Sequence, residues 1–171
     1  MPDATPILST SSRDEIGRVL GRTPSGVFIL TAIDGEGRET AMLASWVQQA
    51  SFEPPMITVA MNRQRYLHDW LDRVPRLALN IVGEKQREFL RHFGRGFEPG
   101  EPAFEGIAIS RTAHGLPVLD EALGHLAGRI AGRIEAGDHV VYLVEIEEAR
   151  AGEAIAEKQP MVHIRRNGFG Y

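Results

Sequence analysis

Ala41 to Pro55, AMLASWVQQASFEPP, with the run MITVAM (Met56 to Met61) behind it, is the stretch whose reading decides the fold. It opens apolar. It then crowds small and hydroxyl residues, Ala44, Ser45, Ala50 and Ser51, around Trp46 and two glutamines, Gln48 and Gln49. Pro54 and Pro55 end it, because two prolines remove two backbone donors and fix φ, so neither a helix nor a central strand runs through them. The spacing predicts a strand that leaves its sheet and becomes a loop before a second strand begins at Met56. Small side chains and open backbone N–H groups let such a loop approach a flat or anionic ligand closely. The same residues also fit an ordinary connection between strands with a core Trp.

Working outward, Gly26 to Ile33 (GVFILTAI) reads as a buried strand, Asp34 to Gly37 as a turn, and Glu39 to Ser45 as its hairpin partner. A nearby run, Gly35 to Thr40, begins like a dinucleotide fingerprint but lacks the last glycine and the following helix. Upstream, residues 1–11 read as a loose arm, and Ser12 with Glu15 forms a capping box for a helix bearing Ile16, Val19 and Leu20. Downstream of the Met56 strand, Tyr66, Leu67, Trp70 and Leu71 mark a short helix. Asn62, Arg63 and Arg65, just before it, offer amides and guanidinium groups suited to a phosphate; they also fit a solvated arginine pair. Arg76 to Val82 is a strand interrupted by Asn80, which must have its hydrogen bonds met inside and either pins a loop or faces a ligand. Glu84 to Phe93 is a helix closed by Gly94.

Gly94 to Gly106 (GRGFEPGEPAFEG) holds too much glycine and proline for a regular element, and loops of this length in compact domains are usually functional or disordered. Ile107 to Ser110 is a strand. Leu116 to Ile134 carries conflicting signals: its leucines suit a helix and its glycines do not. A short helical turn at Leu119 to Leu123 and a strand from His125 reconcile them. Asp138 to Arg150 is a strong strand, and Pro160 to Ile164 a last one.

Composition excludes several chemistries. The chain has 171 residues, 43% hydrophobic and 25% charged, with a net charge of −4 and no cysteine. That fits one domain over 1–171 and removes disulfides, thiolate metal sites and cysteine nucleophiles. The acidic balance gives no case for nucleic acid, and no run is long enough to span a membrane. A cytoplasmic protein is expected. The six histidines, His68, His92, His114, His125, His139 and His163, show no metal-ligand spacing. No P-loop, zincin motif or nucleophile elbow is present. A chain without catalytic machinery of its own suits a cofactor enzyme.

The AMLASWVQQASFEPP segment, with LALNIV, REFLRHFGRGFEPG, Gly137-Asp138-His139 and the tail PMVHIRRNGFGY, resembles the flavin reductase family, the FMN-binding split barrels. It is most similar to the flavin reductase domain of diflavin flavodiiron proteins. The resemblance covers nearly the whole chain. It implies a mainly β fold, an antiparallel six-stranded Greek-key split barrel with flanking helices, and a homodimer that binds flavin at its seam. It implies FMN, with FAD as the other flavin, and NADH or NADPH as co-substrate.

Residue by residue, the resemblance implies that backbone groups of Leu43, Ala44, Ser45 and Trp46 meet the isoalloxazine edge. Ser51 with Asn62, Arg63 and Arg65 would hold the phosphate. Asn80 would orient the pyrimidine side or its loop, His139 would face the nicotinamide, and His163 and Tyr171 would close the site. Residues 94–106 would form a flap over the flavin. Two departures stand out: Gln64 and Arg65 replace the family's small hydroxyl residues, and Val144 replaces a glycine. The activities left open are an NAD(P)H-dependent flavin reductase, an FMN-containing electron carrier between protein partners, and a non-catalytic flavin-binding module.

Overall fold

The structure, a computed structural model, describes residues 10–170. The arm expected at the N-terminus falls almost wholly outside that range. In chain order the elements are α1 (Arg13–Leu20), β1 (Ser25–Gly26), β2 (Phe28–Ile33), β3 (Glu39–Ala44), β4 (Val47–Ser51), β5 (Met56–Asn62), α2 (Leu67–Arg73), β6 (Arg76–Ile81), α3 (Arg87–Phe93), β7 (Ile109–Arg111), β8 (Pro117–Leu119), β9 (Gly124–Ala136), β10 (His139–Ala151) and β11 (Val162–His163). Two compact units emerge, one from Ser25 to Val162 and a smaller one joining the residues up to Pro24 with those from His163.

The larger unit is built on one antiparallel sheet in the order β3-β2-β6-β9-β10-β5-β4. Laid flat, seven strands would hold β3 and β4 about 29 Å apart. Only Ser45 and Trp46 separate them in the chain, and the links from Ala44 to Val47 reach at most about 11 Å. The sheet therefore curls until its two edges meet, and the Trp-bearing bend is the seam. This is the split-barrel fold expected from the sequence, with seven hydrogen-bonded strands rather than six. The segment after Trp46 is not a loop: it is the edge strand β4, paired with β5 from Val47↔Val59 to Ser51↔Met56. The small residues there suit an exposed edge as well as they suit a loop.

Strict alternation fills the barrel. Leu30 and Ala32, Ala44, Ile57, Val59 and Met61, Leu77 and Leu79, and Val140, Tyr142 and Val144 form one cluster, closed by Leu67 and Leu71 of α2. Such burial of alternate aliphatic side chains is the dominant favourable contribution to a barrel of this kind. Outside β2 and β3, Ile29 and Ala41 pack under Phe89 and Phe93 of α3, with Phe97 and Ala103 from the 94–106 loop. That loop is thus anchored at two buried points, and His92 Nε2 lies 2.8 Å from the Ala103 carbonyl. The β7–β8 hairpin covers Ala78 and Ala127 with Leu116 and Val118.

One expectation gives way here. Leu119 to Leu123 is not helical; β8 ends at Leu119 and a turn follows, with Ala122 N–H bonded to Leu119 O at 3.2 Å. Hairpin pairing of β8 with β7 outweighs the leucine spacing. In β9, a Cβ at Gly128 would sit 2.0 Å from Glu145 O, and one at Gly124 2.8 Å from Arg150 O. Those glycines mark where β10 presses on β9, and Gly128 lies at the register shift between Ile146 and Glu148.

In the smaller unit, Ser12 caps α1 by accepting from Glu15 N–H at 3.2 Å, as the capping box requires. The expected apolar face is not the packed one. Ile16, Val19 and Leu20 are exposed. The packed side is Gly17, where Gly168 N–H donates to Gly17 O and an added Cβ would meet Asn167 and Phe169 within 3 Å.

Candidate functional site

The seam sets the position of Trp46. Its carbonyl accepts from Ala60 N–H at 2.9 Å, which fixes the bend against β5. Its ring lies 4.7 Å, centroid to centroid, from that of His139, tilted by 37°. His139 begins β10 and is matched in register with Asn62, the last residue of β5. Two strand ends and the seam thus place an indole and an imidazole side by side, although 93 positions apart in the chain they share no sequence pattern.

Around this pair the polar groups are ordered. His139 Nδ1 is 2.7 Å from Asp138 Oδ1. A carboxylate only accepts, so Nδ1 carries the proton and the ring orientation is fixed. The hydrogen bond from His139 holds the Asp138 carboxyl below its ordinary value, with the nearby Arg63 charge acting in the same sense. Arg63 N–H donates to Asp138 O at 3.0 Å, which ties the β5–α2 turn to the β9–β10 turn. The Arg63 guanidinium reaches Glu135 Oε2 at 2.5 Å. Asn62 Oδ1 accepts from Gln64 N–H, and its carbonyl lies 2.9 Å from His68 Nε2, whose Nδ1 is 2.6 Å from the buried Tyr142 hydroxyl. Burial pushes the Tyr142 phenol up. Arg65 is exposed beside Gly96, where an added Cβ would come 3.3 Å from its guanidinium.

The residues singled out from sequence therefore divide. Ser45, Trp46, Asn62, Arg63 and His139 come together at one end of the barrel. Arg65 follows Arg63 by two positions and lies against the 94–106 loop. Leu43 and Ala44 end β3, with Leu43 packed outward and Ala44 inward, so backbone is what they can present on the sheet's edge.

Ser51 does not join them. It sits at the opposite end of the β4–β5 hairpin, opposite Met56, and six residues of β5 separate that point from Asn62, or about 20 Å. Antiparallel pairing rules out a phosphate site shared by Ser51 and Arg63 within one chain. Of the two readings of Asn80, the structure supports the pinned loop and not the ligand contact. Asn80 is fully buried, its Nδ2 donates to Ile29 O at 2.9 Å, and its Oδ1 accepts from Leu119 N–H at 2.8 Å. It pins β8 to the barrel and has no face left for a ligand. His163 is exposed in the smaller unit; Tyr171 lies outside the described residues. Sequence reading passed over Glu135 and Asp138. Asp138 stood in plain view within Gly137-Asp138-His139, whereas Glu135 is found only by counting the hairpin register.

A cleft of about 600 Å³ lies elsewhere, lined among others by Gln86, Asp120, His125, Arg150 and Lys158. It is at the far end of β10, some eleven residues or about 36 Å of strand from His139. Volume alone does not make it the flavin site, since it lacks an aromatic face and mixes both charges. His125 in it is largely buried, and burial lowers its pKa.

A curled antiparallel sheet whose seam presents an aromatic ring beside cations at the strand ends is the fold of flavin-binding split barrels. This chain belongs to the flavin reductase like domain family, which matches residues 20–170. It is 36% identical over 158 residues to Diflavin flavoprotein A 1 of a Synechocystis strain, covering 92% of this chain and 27% of that protein. A second Synechocystis relative, named Putative diflavin flavoprotein A 3, is 36% identical over 165 residues, covering 95% and 26%. The chain thus spans about a quarter of the length of these relatives. Among solved structures, the Streptomyces globisporus NADH:FAD oxidoreductase SgcE6 superposes with a TM-score of 0.79 at 24% identity, covering 95% of both chains. A Haemophilus somnus protein named as a putative flavin reductase gives 0.76 at 20%, covering 86% and 92%. No helix among the described residues is long and apolar enough to cross a membrane.

Proposed function

We propose that this chain is an NAD(P)H-dependent flavin reductase that holds FMN at the Trp46–His139 end of the barrel and passes electrons to an acceptor. The observation that carries the reading is the 4.7 Å Trp46–His139 pair beside the Arg63 turn. An indole face and guanidinium groups suit an anionic aromatic ligand, which is what a flavin phosphate is.

A bound flavin supplies hydride acceptance from a nicotinamide and release of the electrons onward. The protein's part is binding and orientation. Trp46 offers an aromatic wall, and the backbone of Leu43, Ala44 and Ser45 offers edge groups. Arg63 and Arg65, with the Asn62 turn, attract the phosphate. His139, oriented by Asp138, faces the ring where the nicotinamide would stack. The 94–106 loop, anchored by Phe97 and Ala103, flanks Arg65. The exposed edge of β4 supports a homodimer as the working form, and use of NADH or NADPH would suit a cytoplasmic activity. The SgcE6 neighbour is named for FAD, so FAD is the competing flavin.

Rapid mixing of the flavin-loaded protein with NADH and with NADPH tests this. Bleaching of flavin absorbance within the mixing experiment, faster with one nucleotide, is expected. A second reading, an electron carrier serving a protein partner, is favoured by the diflavin relatives of which this chain matches only 27%. Slow bleaching by both nucleotides together with rapid reduction by a protein donor would select it. No binding of either flavin in a fluorescence titration would end both readings.

A further inference from the structure

We propose that Glu135 is an internal competitor for the phosphate seat: it pairs with Arg63 and sets how firmly a flavin phosphate is held. The inference rests on the reading of Arg63 as part of that seat. Arg63 Nη2 and Glu135 Oε2 are 2.5 Å apart, with both side chains about half exposed. The backbone around them is not free to drift. Arg63 N–H is bound to Asp138 O, and the β9–β10 turn between Glu135 and Asp138 is fixed by Gly137 at φ +63. A phosphate arriving beside Trp46 therefore meets a guanidinium already paired with a carboxylate.

Two anions and one cation make an exchange. A phosphate monoester, carrying between one and two negative charges near neutral pH, takes the bidentate donors from a single carboxylate. Glu135 must then swing to solvent, and its remaining charge repels the bound phosphate. Both effects weaken binding, so the flavin stays exchangeable. Exposed pairs of this kind are modest, and the expected attenuation is about two- to fivefold in affinity. At high salt it shrinks, because the pair and the repulsion are both screened.

The test uses Glu135→Gln, Arg63→Gln and the double variant of the full chain, titrated with FMN and with riboflavin by flavin fluorescence. Glu135→Gln is expected to tighten FMN about two- to fivefold and leave riboflavin unchanged, with the gain lost in Arg63→Gln and at high ionic strength. Equal tightening of FMN and riboflavin, or no change in FMN, overturns the proposal. A separate arm titrates inorganic phosphate and follows the Arg63 side-chain N–H signal by NMR. That signal should respond at lower phosphate in Glu135→Gln than in the parent; an identical response overturns the proposal even if neither flavin binds. Failure of both flavins to bind, with the phosphate response intact, sinks the flavin reading alone.

Discussion

Replacing Asn80 separates a structural amide from a ligand-binding one. In Asn80→Leu the branched skeleton is kept, and beside some overpacking by the bulkier methyl groups the main losses are two hydrogen bonds. Leu119 N–H loses the acceptor it holds at 2.8 Å, and Ile29 O loses a donor at 2.9 Å, both in buried surroundings. A buried donor left unpaired costs about 1–3 kcal/mol, and the bond to Ile29 about 1 more, for a total of roughly 2–4 kcal/mol. In a chain of this size that lowers the melting midpoint by roughly 5–15 °C. Urea denaturation followed by circular dichroism, beside a calorimetric scan, measures it. Asn80→Asp sharpens the test. One oxygen still accepts from Leu119, but the other faces the Ile29 carbonyl and becomes a donor only when protonated. Its deficit should therefore shrink as the pH falls. An unchanged midpoint in Asn80→Leu, accompanied by lost flavin binding, would show the amide serving a ligand and refute the pinning argument.

Three further outcomes follow from the geometry. Trp46→Ala should weaken flavin binding about tenfold while Trp46→Phe retains most of it, read by flavin fluorescence; equal affinities in all three proteins would remove the ring from the site. Gly128→Ala should destabilise by about 1–3 kcal/mol or more, because its Cβ would lie 2.0 Å from a backbone oxygen. Gly132→Ala, four residues along with nothing within 4 Å, should be neutral or gain up to about 1 kcal/mol; equal midpoints for the two in urea would contradict the close approach of β10. For the carboxyl of Asp34, burial acts to raise the pKa, but bonds from Arg38 Nε, Arg38 N–H and Glu36 N–H outweigh it and leave the group below its ordinary 3.8. A depressed carboxyl contributes stability above its unfolded value and loses it as pH falls through the folded one. Asp34→Asn should accordingly flatten acid unfolding below about pH 4, and an acid titration matching the parent's would discount the group.

Much of this was legible because it was local. The β2–β3 hairpin announced itself through β-branched residues around Asp34 to Gly37, and α2 through the spacing of Leu67, Trp70 and Leu71. The bend at Trp46 was visible as a break in pattern, although β4 was not, since an edge strand exposing Gln48, Gln49 and Ala50 lacks the alternation that betrays a half-buried one. The Leu119–Leu123 region misled because its leucines answer to β7 and α3, not to one another along a helix. The Trp46–His139 pairing and the separation of Ser51 from Arg63 depend on register across β4, β5 and β10, which no single segment encodes. Asn80 was recognisable as a buried amide needing partners; which partners depended on where β8 came to rest.

The two-residue seam has a consequence for how the barrel can vary. Ser45 and Trp46 are the chain's shortest route between the two edges, so the circumference of the barrel and the placement of the indole are one quantity. Lengthening this bridge to accommodate a wider ligand would slacken the closure and carry the ring away from His139 in the same motion. Adaptation to ligands of other sizes is therefore directed to the β9–β10 turn and the 94–106 segment, which can change length without unfastening the cylinder.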